Sequence, residues 1–284
     1  MPDAVRPDAL VIAPATRDDW ATVVEWADAE GWNPGEGDTA TFFTQDPDGF
    51  FLGKLHGEPA TAVSVVNYGP DYAFLGFYLV RPDLRGAGLG LATWRAGLEH
   101  AGARVVGLDG VPAQQANYRR SGFELAYRTA RFEGEPDLPP PDATVRALSP
   151  GDLTGLHAYD TRCVPADRPR FLDSWLGDPR HQTVVRILDG RLTGYGTIRP
   201  ARHSLRVGPL FADTPADARQ LLCALAAIAD GPLAIDVPLH NTPAVHLAEE
   251  AALKPAFETA RMYTGPVRPH HTARIFGTTT LELG

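Results

Sequence analysis

A chain of 284 residues is too long for one small core and suits two domains of about 100–150 residues each. Its 44% hydrophobic and 21% charged residues are those of an ordinary soluble globular protein, and no window approaches the ~18 apolar residues of a membrane helix. A formal net charge of −9 leaves no basic excess to neutralise phosphates, which excludes broad binding to nucleic acid or anionic membrane.

Any anionic ligand must then be held locally, by a few arginines and oriented amides. Lys54 and Lys254 are the only lysines, a bias that reads as codon usage in a GC-rich genome. "MPDAVRPDALVIAP" at the N-terminus has no apolar run long enough for a signal peptide. Cys163 and Cys223 stand alone, without metal or redox spacing, and read as buried reduced thiols. A cytoplasmic protein is expected, a monomer or a homodimer.

"ALVIA" (9–13) reads as a strand, and Thr16 with Asp19 gives a capping-box start to the helix "DWATVVEWADAE". "GWNPGEGD" is a loop by composition, after which Asp38 is expected to cap a short helix, "TATFFTQ". Three strands follow, "FFLGKL", "ATAVSVVNY" and "YAFLGFYLV". "RPDLRGAGLG" (81–90) then opens an amphipathic helix, "LGLATWRAGLEHA". The strand "RVVGLD", a short helix around "AQQANYRRS" and a strand from Phe123 complete the first half.

"EGEPDLPPPDA" (133–143) is acidic and proline-rich without apolar periodicity, and reads as a linker between domains 1–132 and 144–284. Beyond it the order recurs: strand "TVRAL", helices to about Trp175, strands "QTVVRIL", "LTGYGTIRP" and "LRVGPLFA". A helix "ADARQLLCALAAIA", a strand "LAIDV", a helix "PAVHLAEEAA" and a strand near "ETARMYTG" end it. The unit is present twice, so two divergent copies of one α+β fold explain the chain.

The glycines at 86, 88 and 90 invite an anion at the main chain. A P-loop is excluded because no lysine is present, and the dinucleotide fingerprint requires glycine at 91, where Leu91 stands. What fits is Arg-x-x-Gly-x-Gly, as Arg85, Gly88 and Gly90, between a strand and a helix. Converging N–H groups and the helix dipole there suit a pyrophosphate, and Arg85 adds a forked donor set. A tight turn made for steric reasons alone is the competing reading.

Tyr118 in "NYRRSGFEL" stands four residues before Gly122-Phe123, on the helix after the next strand. With the loop in register before it, this half resembles the GNAT acetyltransferases. The whole chain resembles a two-domain subfamily, an acetyltransferase domain followed by a degenerate copy marked here by "RMYTG" (261–265) and "IFGTTTLELG" (275–284). The resemblance implies two tandem GNAT folds, each a mixed, mostly antiparallel twisted sheet flanked by helices.

It further implies an N-acetyltransferase that uses acetyl-CoA and needs no metal. The pantetheine arm would lie on Leu79 and Val80. The pyrophosphate would rest on Arg85, Gly86, Ala87, Gly88, Leu89 and Gly90. Tyr118 would protonate the departing thiolate. Many family members carry a glutamate in the strand before the loop, but "FLGFYLV" contains no acid. The base is left open between Asp109, Glu30, Asp38 and a water-mediated route. Trp32, Asn33 and Asp38, in the loop that corresponds to the acceptor-binding segment, are expected to cradle a small-molecule or peptide amine.

In the second copy "FADTPADA" replaces the loop, Ala248 stands at the tyrosine position and Ala252-Leu253 at the Gly-Phe pair, although Asn241, Ala244 and Leu247 keep a family run. That copy is expected to be silent and to shape the acceptor cleft. Two other readings stay open, a non-catalytic acyl-CoA sensor and a transferase of longer acyl groups.

Overall fold

The computed structural model describes residues 9–284, so the first eight residues of the stretch read for a signal peptide lie outside them. The first half runs β1 (Leu10–Pro14), α1 (Arg17–Ala29), α2 (Asp38–Gln45), β2 (Phe50–Leu55), β3 (Glu58–Tyr68) and β4 (Tyr72–Val80). It continues with α3 (Leu89–Ala101), β5 (Val105–Gly110), α4 (Gln115–Arg120) and β6 (Glu124–Gly134). The second half repeats this order as β7 (Val145–Ala147), α5 (Leu153–Cys163), α6 (Pro169–Gly177), β8 (Gln182–Leu188), β9 (Arg191–Pro200) and β10 (Leu205–Ala212). Then follow α7 (Pro215–Ile228), β11 (Leu233–Pro238), α8 (Thr242–Glu250), β12 (Lys254–Tyr263) and a short β13 (Ile275–Gly277) that the sequence reading did not foresee.

Local chemistry sets the helix starts. Thr16 and Asp19 form the capping box of α1, which buries Trp20, Val23 and Ala27 on one face. Asp38 does not cap α2: Gly37, at φ 79°, is the N-cap, and the Asp38 carboxylate is spent on Arg199 instead. Both cysteines are buried and unpaired.

The strands form one mixed, mostly antiparallel sheet in the order β1-β2-β3-β4-β5-β12-β6-β11-β10-β9-β8-β7, with β13 added on β10. The parallel pairs in it are β4–β5 and β10–β11. Each half sends one long strand into the other: β12 lies between β5 and β6, and β6 between β12 and β11. Accordingly Ala260 and Met262 of β12 sit in the core around Trp94 and Tyr118, and Ala130 and Phe132 of β6 in the core of the second half. The two strands carry the same Thr-Ala-Arg, at 129–131 and 259–261. Arg131 stands opposite Asp236 of β11, and Arg261 opposite Asp109 of β5. Among the described residues no helix is long and apolar enough to cross a membrane.

Candidate active site

β4 and β5 run in parallel register from Tyr72↔Val105 to Leu75↔Leu108 and then part. Just past that point β4 bulges, because one β3 residue, between Ala62 and Ser64, faces the two β4 residues between Gly76 and Leu79. Phe77 on the bulge has φ 46°, a conformation that costs a non-glycine residue about 1–2 kcal/mol. The opening continues into a cavity of about 800 Å³, lined on this side by Gly76 to Val80, Asp109, Gly110 and Tyr118.

Arg85, Gly86, Gly88, Leu89 and Gly90 line the same cavity, whereas Ala87 points off it. Gly86 (φ 82°) and Gly88 (φ 80°) adopt the left-handed conformation. Gly88 is the N-cap of α3 and offers no side chain to its first amides. Among the described residues none of the amides from 86 to 90 donates to a protein acceptor, so the loop and the helix start present a row of unspent donors. Gly90 serves a different purpose, since a Cβ there would come within 2.5 Å of the Tyr78 hydroxyl and 2.8 Å of Val80 Cγ2. These residues fit a pyrophosphate, and the parted β4 beside them fits an amide-bearing arm.

Tyr118 is brought to the cavity by α4, its ring stacked on Trp94 at 5.6 Å and lying against Gly110, where a Cβ would meet it at 2.1 Å. Burial pushes its phenol above the ordinary value, with Tyr78 adding to the shift. The cavity also meets Glu30, Asp109 and Glu282. Glu30 is ion-paired with Arg85, which also donates through Nε to Val80 O at 3.0 Å. The Asp109 side chain is fully buried and gripped by Arg261, Nε to Oδ1 at 2.9 Å and Nη2 to Oδ2 at 2.5 Å. Burial raises the Asp109 carboxyl, and Arg261 offsets part of that rise.

Trp32 lines the cavity, but Asn33 and Asp38 do not, which differs from the acceptor-binding places read from their loop. That loop is a dock for the second half. Asn33 donates to Ser204 Oγ at 2.9 Å and accepts from the His203 amide at 3.1 Å. Asp38 is buried and takes both Arg199 bonds, at 2.9 and 3.0 Å. In their stead the far wall is built by Arg131, Phe257, Thr259, Leu281 and Glu282. Sequence reasoning missed all of these. The one signal was the charge of Glu282 inside the quoted "IFGTTTLELG" stretch. Arg131 donates to Trp32 O at 2.6 Å and to Asp236 at 2.8 Å. Burial opposes ionisation of Asp236, yet Arg131 and Arg206 together hold its carboxyl down to about 2.

The corresponding place in the second copy is differently furnished. β10 and β11 part after Val207↔Ile235, as β4 and β5 do, but the chain's own segment enters the gap. β13 pairs with β10, and Thr278 N bonds Asp236 O at 2.9 Å. Gly208 leaves room for it: a Cβ there would meet Thr279 O at 2.3 Å. Asn241 fastens the segment through Ile275 O at 2.9 Å. At the start of α7, Thr214 caps the helix by accepting from the Asp217 amide and donates to the Asp217 carboxylate, so the place of the glycine loop carries a carboxylate.

A model described as "Acetyltransferase (GNAT) family" matches residues 15–123, and one described as "Acetyltransferase (GNAT) domain" matches residues 156–277. Holothin acyltransferase of Pseudoalteromonas sp. (strain SANK 73390) is 36% identical over 276 residues, covering 95% of this chain and 93% of that protein. A crystal structure from Pyrococcus horikoshii shares the fold with a TM-score of 0.83 at 22% identity, over 97% of this chain and 96% of its own. A tandem GNAT protein from the clavulanic acid biosynthesis pathway superposes with a TM-score of 0.64 at 16% identity, over 90% of this chain and 99% of its own. With full-length likeness added to the parted strands, the glycine loop and the repeated unit, the chain belongs to the GNAT acyltransferases and carries two such domains in tandem.

Proposed function

We propose that the first half transfers an acetyl group from acetyl-CoA to a primary amine, with Tyr118 as the general acid and the second half non-catalytic. The observation that carries this reading is the convergence of the unspent amides of Gly86, Gly88, Leu89 and Gly90 and of Tyr118 on one cavity. Leu79, Val80 and the loop amides hold the donor, which brings thioester and amine together and removes much of the entropic barrier. The amine nitrogen attacks the thioester carbonyl carbon, the C–N bond forms and the C–S bond breaks. The electron pair leaves on sulfur, which takes the Tyr118 proton. A buried phenol kept protonated above its ordinary range suits that role. Silence of the second half is supported by β13 in its gap and by Asp217 at the start of α7.

The acceptor remains an amine of a small molecule or peptide. The name of the 36% identical relative makes holothin the first compound to assay, beside polyamines and amine antibiotics. The test is release of free CoA thiol from the full chain with that panel. Acyl-CoA binding without thiol release from any amine would overturn the catalytic reading in favour of a sensor. The roomy cavity and the relative's broader name favour a second reading, a longer acyl donor, and a series of acyl-CoA chain lengths separates the two.

A further inference from the structure

We infer that Glu282, delivered to the cavity by the segment after β13, binds the protonated acceptor amine and takes its proton. This rests on the acyl-transfer reading above. Among the described residues three acids line the cavity, and two are already committed: Glu30 to Arg85, and both oxygens of Asp109 to Arg261. Glu282 is buried and, among the described residues, its carboxylate oxygen Oε2 has no partner. Its other oxygen is 3.5 Å from Arg206 Nη1, while Arg206 bonds Asp236 far more closely. A buried carboxylate oxygen left bare is costly, and an ammonium N–H is the partner that would satisfy it.

The residue is also held firmly. Glu282 O rests where a Cβ on Gly76 would be, at 2.1 Å, so the glycine at the parting of β4 and β5 admits it. Leu283 O accepts from the Tyr68 hydroxyl at 3.0 Å, and Leu283 N donates to Thr280 Oγ1 at 2.9 Å. The charged groups around its carboxylate are Arg206 on β10, Asp236 on β11, Arg131 on β6, and the Asp109–Arg261 pair on β5 and β12.

In the balanced step the ammonium gives one proton to Glu282, and the freed lone pair forms the C–N bond as C–S breaks. Sulfur takes the Tyr118 proton. The second nitrogen proton restores the tyrosine through water, and Glu282 releases its own to water as the amide leaves. One proton is released per turnover.

The experiment compares the full-length wild type with Glu282→Gln and Glu282→Asp, measuring the pH profile of kcat/KM for the amine, acyl-CoA affinity and melting temperature. At neutral pH Glu282→Gln is expected to lose on the order of 10²-fold in kcat/KM. The loss should shrink as rising pH supplies free amine, with acyl-CoA affinity unchanged and Glu282→Asp intermediate. A pH-independent loss accompanied by weaker acyl-CoA binding or a lower melting temperature would mark a structural role and overturn the inference. Wild-type turnover that Glu282→Gln leaves intact overturns it alone. No turnover by the wild type overturns the acyl-transfer reading and this role with it.

Discussion

Tyr118 owes its position to two neighbouring residues. Trp94 stacks on one face of its ring, and Gly110 lacks the methylene that would fill its place. Burial raises its phenol above the ordinary 10.0, so the acid form persists through the working range and is lost only as pH rises through that higher value. The pH profile of kcat should therefore show no descending limb below about pH 10; a limb near pH 8 that disappears in Tyr118→Phe would contradict this. Tyr118→Phe itself should lower kcat on the order of 10²-fold and leave acyl-CoA affinity unchanged by calorimetry. Asp109, read from sequence as a possible base, has another occupation. Arg261 grips both its oxygens and lies 4.9 Å from the Phe74 ring centre. Arg261→Met would leave a buried carboxylate unpaired, at a cost of about 3–5 kcal/mol in urea unfolding. The double variant with Asp109→Asn should recover much of that loss, and a simple sum of the two single effects would refute the pairing.

At the scale of elements, the loop before α3 was legible because its determinants are local. Positive φ, an absent cap and helical periodicity are all written within residues 81–101. The division of labour among the glycines was not legible, since it depends on side chains elsewhere. Gly86 has φ 82° and open space around it, so Gly86→Ala should cost about 1–2 kcal/mol of backbone strain and little else. Gly90→Ala would drive a methyl against Tyr78 and Val80, the wall of the acyl-donor groove. Acyl-CoA affinity should fall on the order of tenfold or more in Gly90→Ala, and less in Gly86→Ala. Equal affinities in the two variants would show that the groove tolerates the displacement. The partners of Asn33 and Asp38 were not legible for the same physical reason. Asn33 and Asp38 look free in sequence, and only the fold reveals Ser204, His203 and Arg199 as their partners. Glu282 was quoted in sequence without a role, because nothing near it in the chain shows that Gly76 admits its backbone.

The repeat itself was legible at the scale of the molecule, but the interleaving of its halves was not. β6 and β12 read as strands in sequence whichever neighbours they take, and pairing between distant strands leaves no local trace. The shared Thr-Ala-Arg carries the consequence. Arg131 stands to Asp236 as Arg261 stands to Asp109, so each interleaved strand, β6 and β12, brings the cation that β11 or β5 of the other half requires. A fragment of residues 1–143 would keep β5 and β6 with a strand-wide gap between them and Asp109 buried without a cation. It cannot close that gap alone, because β6 already occupies the far side of it. A second copy can close it: each fragment's β6 would enter the other's gap, and each Arg131 would meet the other's Asp109. The isolated fragment is therefore expected to sediment as a dimer, and Arg131→Ala should abolish the dimer and its cooperative melting. Adding the fragment 144–284 should convert the dimer into a one-to-one complex, since β12 is the strand shaped for that gap. A stably folded monomer of 1–143, indifferent to Arg131, would mean that the first half is complete without the strand it borrows.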